Sequence, residues 1–171
     1  NLSRLDNNKI NLINVYFGQK KPFDKISFKS YEYIKNSFDI ALEILNKKIT
    51  NKLINGPISK KFFLKKKYLG ITEYLAHRTK TKNFAMLIYN KNISVCPITT
   101  HLPIKKISKK INKGMIKQKV QLIDRFFKQY FKQKPEMAIT GLNPHCESVD
   151  AFNEDEKIIK PTVKSLIKSN Y

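Results

Sequence analysis

Two of the three histidines stand where an apolar run ends in a turn. Met137-Ala138-Ile139-Thr140 leads into Gly141-Leu142-Asn143-Pro144-His145, and Val95-Cys96-Pro97-Ile98 leads into Thr99-Thr100-His101-Leu102-Pro103. Proline or glycine brackets each imidazole. Apolar runs of this kind predict strands, and ligands collect at the carboxyl ends of strands in open α/β sheets. Two imidazoles at one rim are what a shared metal or phosphate site requires. A typical catalytic zinc site has three protein ligands, so a third must come from Glu147, Asp150, Cys146, a partner subunit or further chain. His77, beside Arg78 on the polar side of a short predicted helix, reads instead as a hydrogen-bonded structural residue.

A third stretch, Asn55-Gly56-Pro57-Ile58-Ser59-Lys60, also predicts strand, turn and helix start. Its glycine permits close backbone approach, and amides at a helix start beside a lysine suit a phosphate or carboxylate. The competing reading is a plain turn with a solvated lysine. Cys146 follows His145, but adjacent residues rarely aim both side chains at one point, which argues against a Cys/His nucleophile.

The elements that must position these turns follow from periodicity. Asn11–Phe17 is rich in β-formers and predicts a strand ended by Gly18. Tyr31, Ile34, Phe38, Ala41 and Leu45 recur at steps of three and four and predict a long amphipathic helix, capped by Ser27 or Ser30. Leu53-Ile54 predicts a short strand, a helix then begins near Pro57 or Ile58, and Tyr74-Leu75-Ala76 belongs to another short helix after Gly70. Phe84–Tyr89 and Ile93–Ile98 flank Asn90-Lys91-Asn92 as a β-hairpin. A second long helix covers Asn112 to Phe131 with Ile116, Val120, Ile123, Phe127 and Tyr130 as its buried stripe. A last helix starts near Asn153, its acidic first turn (Glu154, Asp155, Glu156) complementing the helix dipole. Strands alternating with helices argue an α/β fold with a largely parallel sheet and one antiparallel element.

The 171 residues suffice for one domain burying roughly 70% of its unfolded surface, and the 41% hydrophobic content is that of a globular chain. The net charge of +21 invites a nucleic-acid reading. Yet only Arg4, Arg78 and Arg125 offer the bidentate fork that reads phosphate and guanine, and the lysines are scattered rather than striped. No run approaches a membrane span, and two cysteines without a secretion signal point to a reducing cytoplasm.

Taken together, Asn55–Lys60, Gly70-Ile71-Thr72-Glu73-Tyr74-Leu75-Ala76, Thr99–Pro103 and Gly141–His145 occur in the order seen in 4-hydroxythreonine-4-phosphate dehydrogenases (the PdxA family), and the chain resembles that family over nearly its whole length. The resemblance implies a three-layer α/β/α fold with a mixed, largely parallel sheet, related to isocitrate and isopropylmalate dehydrogenases. It implies oxidation of 4-phosphooxy-L-threonine with NAD or NADP, then loss of carbon dioxide to give 3-amino-2-oxopropyl phosphate, in vitamin B6 biosynthesis. It also implies a cytoplasmic homodimer with the active site at the interface, acting on a small phosphorylated substrate, and a divalent cation (zinc, cobalt, manganese or magnesium) held by three histidines. His101 and His145 match the first two metal ligands, and Thr72 matches a substrate-binding threonine. Catalytic and cofactor-binding residues are not assigned by the match.

Two departures stand out. Ile71 replaces the histidine that usually precedes the substrate threonine, and Cys146-Glu147 replaces the usual Ala-Gly-Glu after the last motif. The family's N-terminal glycine-rich segment and the region of its third histidine and most cofactor contacts are absent, so residues 1–171 are expected to be the central portion of a longer dehydrogenase, inactive alone. A dehydrogenase for erythronate or threonate 4-phosphate is the alternative that Ile71 keeps open. A basic nucleic-acid-binding module is the outside alternative.

Overall fold

The structure, a computed structural model, describes Asp6 and residues 8–171. The chain divides into two compact units, Asn1–Tyr68 and Leu69–Tyr171.

In the first unit the predicted long helix forms as α1, Tyr31–Asn46, with Phe38 and Leu42 buried one turn apart. Ser27 caps a 3₁₀ turn, Phe28–Ser30, rather than α1 itself, and Ser30 makes no side-chain cap. α2 is a single turn, Lys60–Phe63, starting later than predicted. Phe63 stacks on Phe38 with ring centroids 5.7 Å apart and leans on Tyr31 at 5.6 Å, and the Lys65 ammonium lies 3.8 Å above the Tyr31 ring. The strands expected at Asn11–Phe17 and Leu53-Ile54 do not form. Neither segment has a ladder partner among the described residues, and β-propensity without a partner does not make a strand.

The second unit carries α3 (Ile71–Arg78), α4 (Lys113–Phe131) and α5 (Lys160–Lys168), the last preceded by a π-turn at Asp155–Ile159. Asn112 caps α4 by accepting the Met115 N–H at 3.0 Å, and Lys132 ends it in the left-handed region at φ 57°. The core is Ile116 and Val120 of α4 with Ile159 and Leu166, and Ile98, Met137, Ile139 and Leu142 pack against it. The runs leading into both histidine turns therefore rest on one apolar cluster. The predicted hairpin is present as one antiparallel bridge, Ile88–Val95, with N–O distances of 2.8 and 2.9 Å, and it is the only β-pairing among the described residues.

The stripe of α4 departs from the sequence reading at its C-terminal half. Tyr130 is 49% exposed, whereas Asp124 is 4% exposed and continues the line of Ile116 and Val120. Its Oδ2 accepts from Lys128 Nζ at 2.8 Å, and its Oδ1 has no hydrogen-bond partner among the described residues. A buried carboxylate oxygen left unpaired is costly, and the half-exposed Lys128 returns readily to water. Asp124→Leu is therefore expected to raise the unfolding free energy by about 1–2 kcal/mol, read as a higher urea midpoint at unchanged m-value. A lower midpoint would show that Oδ1 has a partner after all.

Candidate metal and substrate site

The three motifs of the second unit take up distinct supports. Gly70 is buried and precedes α3, and Thr72 sits half-buried in that helix's first turn beside Ile71. Glu73, on the same turn, accepts a hydrogen bond from Thr100 Oγ1 at 2.9 Å across 27 positions. This bond brings the Gly70–Ala76 and Thr99–Pro103 motifs together. A Cβ on Gly70 would lie 3.0 Å from Glu73 Oε2 and 3.2 Å from His101 Nε2, so the missing side chain leaves room for the carboxylate and the imidazole over the backbone.

His101 and His145 are both exposed, and neither is enclosed by aliphatic side chains. Both have left-handed backbones, at φ 55° and φ 56°. His145 lies in a 3₁₀ turn, Pro144–Cys146. That turn follows a loop gripped by Asp155, which is 1% exposed. Asp155 Oδ1 accepts the Leu142 N–H at 2.9 Å, and Oδ2 accepts the Asn143 N–H at 3.1 Å and Asn143 Nδ2 at 2.9 Å. Burial pushes this carboxyl up, but those hydrogen bonds and the Lys160 charge outweigh it and hold the pKa below the ordinary aspartate value. Asp155 thus serves the loop, where the sequence assigned it to the helix dipole.

Gly141 explains the start of the motif. A Cβ there would overlap Cys146 Sγ and come within 2.9 Å of Asp155 Oδ1. Gly141→Ala is expected to destabilise the protein by about 1–3 kcal/mol, as overpacking does, seen as a lower thermal midpoint. An unchanged midpoint would mean that the loop yields freely. Cys146 faces this backbone, and burial pushes the other thiol, Cys96, above its usual pKa with Lys119 offsetting only part.

Imidazole and carboxylate donors fit a divalent cation of the zinc, cobalt or manganese type, and His101 and His145 are both accessible imidazoles of that kind. Among the described residues, no three His, Cys, Asp or Glu side chains group closely enough to hold a metal ion. The remaining motif, Asn55–Lys60, lies in the first unit, where the one-turn α2 has too little helix to make an anion site. Sequence reasoning missed Asp155 and Glu73 as supports. The only local signal is the polar doublet Asn153 and Asp155, where Asn153 Oδ1 accepts the Asp155 N–H at 2.9 Å and so fixes the carboxylate.

Comparison with known proteins shows which family the chain resembles in sequence and fold. A protein named 4-hydroxythreonine-4-phosphate dehydrogenase from a Sulfurihydrogenibium species is 40% identical over 141 residues, covering 80% of this chain and 42% of that protein. A protein named D-threonate 4-phosphate dehydrogenase from Pectobacterium atrosepticum is 30% identical over 100 residues, covering 58% of this chain and 31% of that protein. The crystal structure of 4-hydroxythreonine-4-phosphate dehydrogenase from Klebsiella pneumoniae superposes with a TM-score of 0.73 at 25% identity, covering 85% of this chain and 46% of that one, which is consistent with an α/β fold. The chain thus spans less than half the length of these relatives. Among the described residues no helix is long and apolar enough to cross a membrane. The family described as pyridoxal phosphate biosynthetic protein PdxA matches residues 2–171, and the chain belongs to that family.

Proposed function

We propose that this chain forms the metal-holding part of a dehydrogenase that oxidises 4-phosphooxy-L-threonine with NAD or NADP, the product losing carbon dioxide to give 3-amino-2-oxopropyl phosphate for pyridoxine 5′-phosphate synthesis. One observation carries the reading: in a chain matched by the family over residues 2–171, the runs before His101 and His145 rest on a single apolar cluster. That common footing supports two imidazoles reaching one ion. A divalent cation held there with a third donor from elsewhere would acidify the substrate hydroxyl and stabilise the charge left as carbon dioxide departs. His101 and His145 would hold the cation through their ring nitrogens, and Thr72 presents its hydroxyl to the substrate from the first turn of α3. Asp155 and Gly141 keep the His145 turn in place.

On this reading the extended segments join a three-layer α/β/α sheet, the protein is a cytoplasmic homodimer, and the active site lies at the subunit interface. The test is reduction of NAD or NADP by the intact protein bearing this sequence, supplied with each metal in turn. Reduction with 4-phosphooxy-L-threonine is expected. Ile71 favours one second reading, a preference for threonate or erythronate 4-phosphate, which faster turnover of those acids would establish. No reduction with either substrate class overturns both.

A further inference from the structure

We propose that Glu73 is a positioning residue that holds His101 in ligating position through the hydroxyl of Thr100. The proposal rests on the reading of His101 as a metal ligand.

Glu73 and His101 come from different elements, yet two observations tie them together. Glu73 Oε1 accepts the Thr100 hydroxyl at 2.9 Å, and Thr100 is the residue directly before His101. Glu73 Oε2 and His101 Nε2 both lie within 3.2 Å of one point, the site of a Cβ on Gly70. One carboxylate therefore grips the turn that carries the imidazole and also lies beside the ring.

The His101 turn has need of such a support. Its backbone is left-handed at φ 55°, a region that is costlier for an L-residue than the ordinary helical one. The imidazole is exposed, so packing does not fix its orientation. Among the described residues, no other side-chain hydrogen bond reaches Thr99–Pro103 from elsewhere in the chain. Residues that orient metal ligands in this way are typically worth 10–100-fold in metal affinity. The device parallels Asp155 at the other histidine turn, where a carboxylate also holds the backbone just ahead of the imidazole.

The experiment is titration of the intact protein bearing this sequence with cobalt(II) alone, followed by paramagnetic shifts of the histidine ring protons in NMR spectra. Glu73→Ala and Thr100→Val should each weaken cobalt binding by about 10–100-fold, and Thr100→Ser, which keeps the hydroxyl, should stay within about threefold of the unaltered chain. In a His101→Ala background, Glu73→Ala should cause no further loss, because its effect passes through that ring. If His101→Ala weakens binding but Glu73→Ala and Thr100→Val do not, the role of Glu73 is overturned and the metal site stands. A further loss from Glu73→Ala in the His101→Ala background also overturns it, since Glu73 would then act on the fold at large. No cobalt effect on His101 in the unaltered intact protein overturns the site reading itself. Should Glu73→Ala fail to fold, Thr100→Val against Thr100→Ser carries the test from the other end of the same bond.

Discussion

Replacing Asp155 with alanine is expected to lower the unfolding free energy by about 3–5 kcal/mol. The side chain is buried and accepts hydrogen bonds from three donors, two of them backbone N–H groups with no other acceptor in the loop. Asn143 Nδ2 alone keeps a second partner, Glu154 Oε2 at 3.2 Å. Alanine would leave the Leu142 and Asn143 amides unpaired and open a void beside Gly141. The measurement is urea unfolding of the two proteins under identical conditions, and a difference below about 1 kcal/mol would refute the role, being no more than an ordinary exposed carboxylate contributes.

The same carboxylate gives a pH signature. Its folded pKa lies below the ordinary aspartate value of about 3.9, so the unfolded chain takes up the proton first as pH falls. Its stabilisation is fully present above about pH 3.9 and is lost as the pH drops through the lower folded value. The gap in stability between the native chain and Asp155→Asn should therefore be constant near neutrality and narrow in acid. A gap that widened in acid would reverse the sign and exclude an ionised, hydrogen-bonded Asp155.

The second large effect concerns the metal. His101→Ala and His145→Ala are each expected to weaken zinc or cobalt binding by at least about 100-fold, more than is typical for loss of a supporting residue. Shared coordination makes a sharper demand than either loss alone. If both rings hold one ion, removing the second after the first should cost far less than removing it from the native chain, because the site is already broken. Calorimetric titration of the two single variants and the double variant measures this. Strictly additive losses would mean two separate weak sites, and His77→Ala should change nothing in either case.

The helices were legible in the sequence, because burial on one face imposes a 3.6-residue period that survives in any surroundings. Tyr31–Asn46 and Lys113–Phe131 form within a residue of expectation, and Asn112 caps the latter as its side-chain type suggests. Asn11–Phe17 shows the limit on the strand side. Its composition favours extended backbone, but a strand exists only through a partner, and partners are set by distant residues. The two histidine turns were legible as turns, while their supports were not. Glu73 reads as an ordinary first-turn acid until the fold brings Thr100 to it, and Asp155 reads as a dipole-complementing acid until the loop at 142–143 closes over it. The stripe read for α4 left out Asp124, which the fold buries on the line of Ile116 and Val120.

The left-handed backbones at His101 and His145 set durability against binding at those two positions. Glycine, which has no Cβ to crowd the carbonyl, would relieve about 1 kcal/mol at either one. The relief would come with loss of the imidazole. Heat-resistant variants recovered by a screen blind to metal should therefore accumulate glycine or asparagine at 101 and 145, trading the cation for toughness.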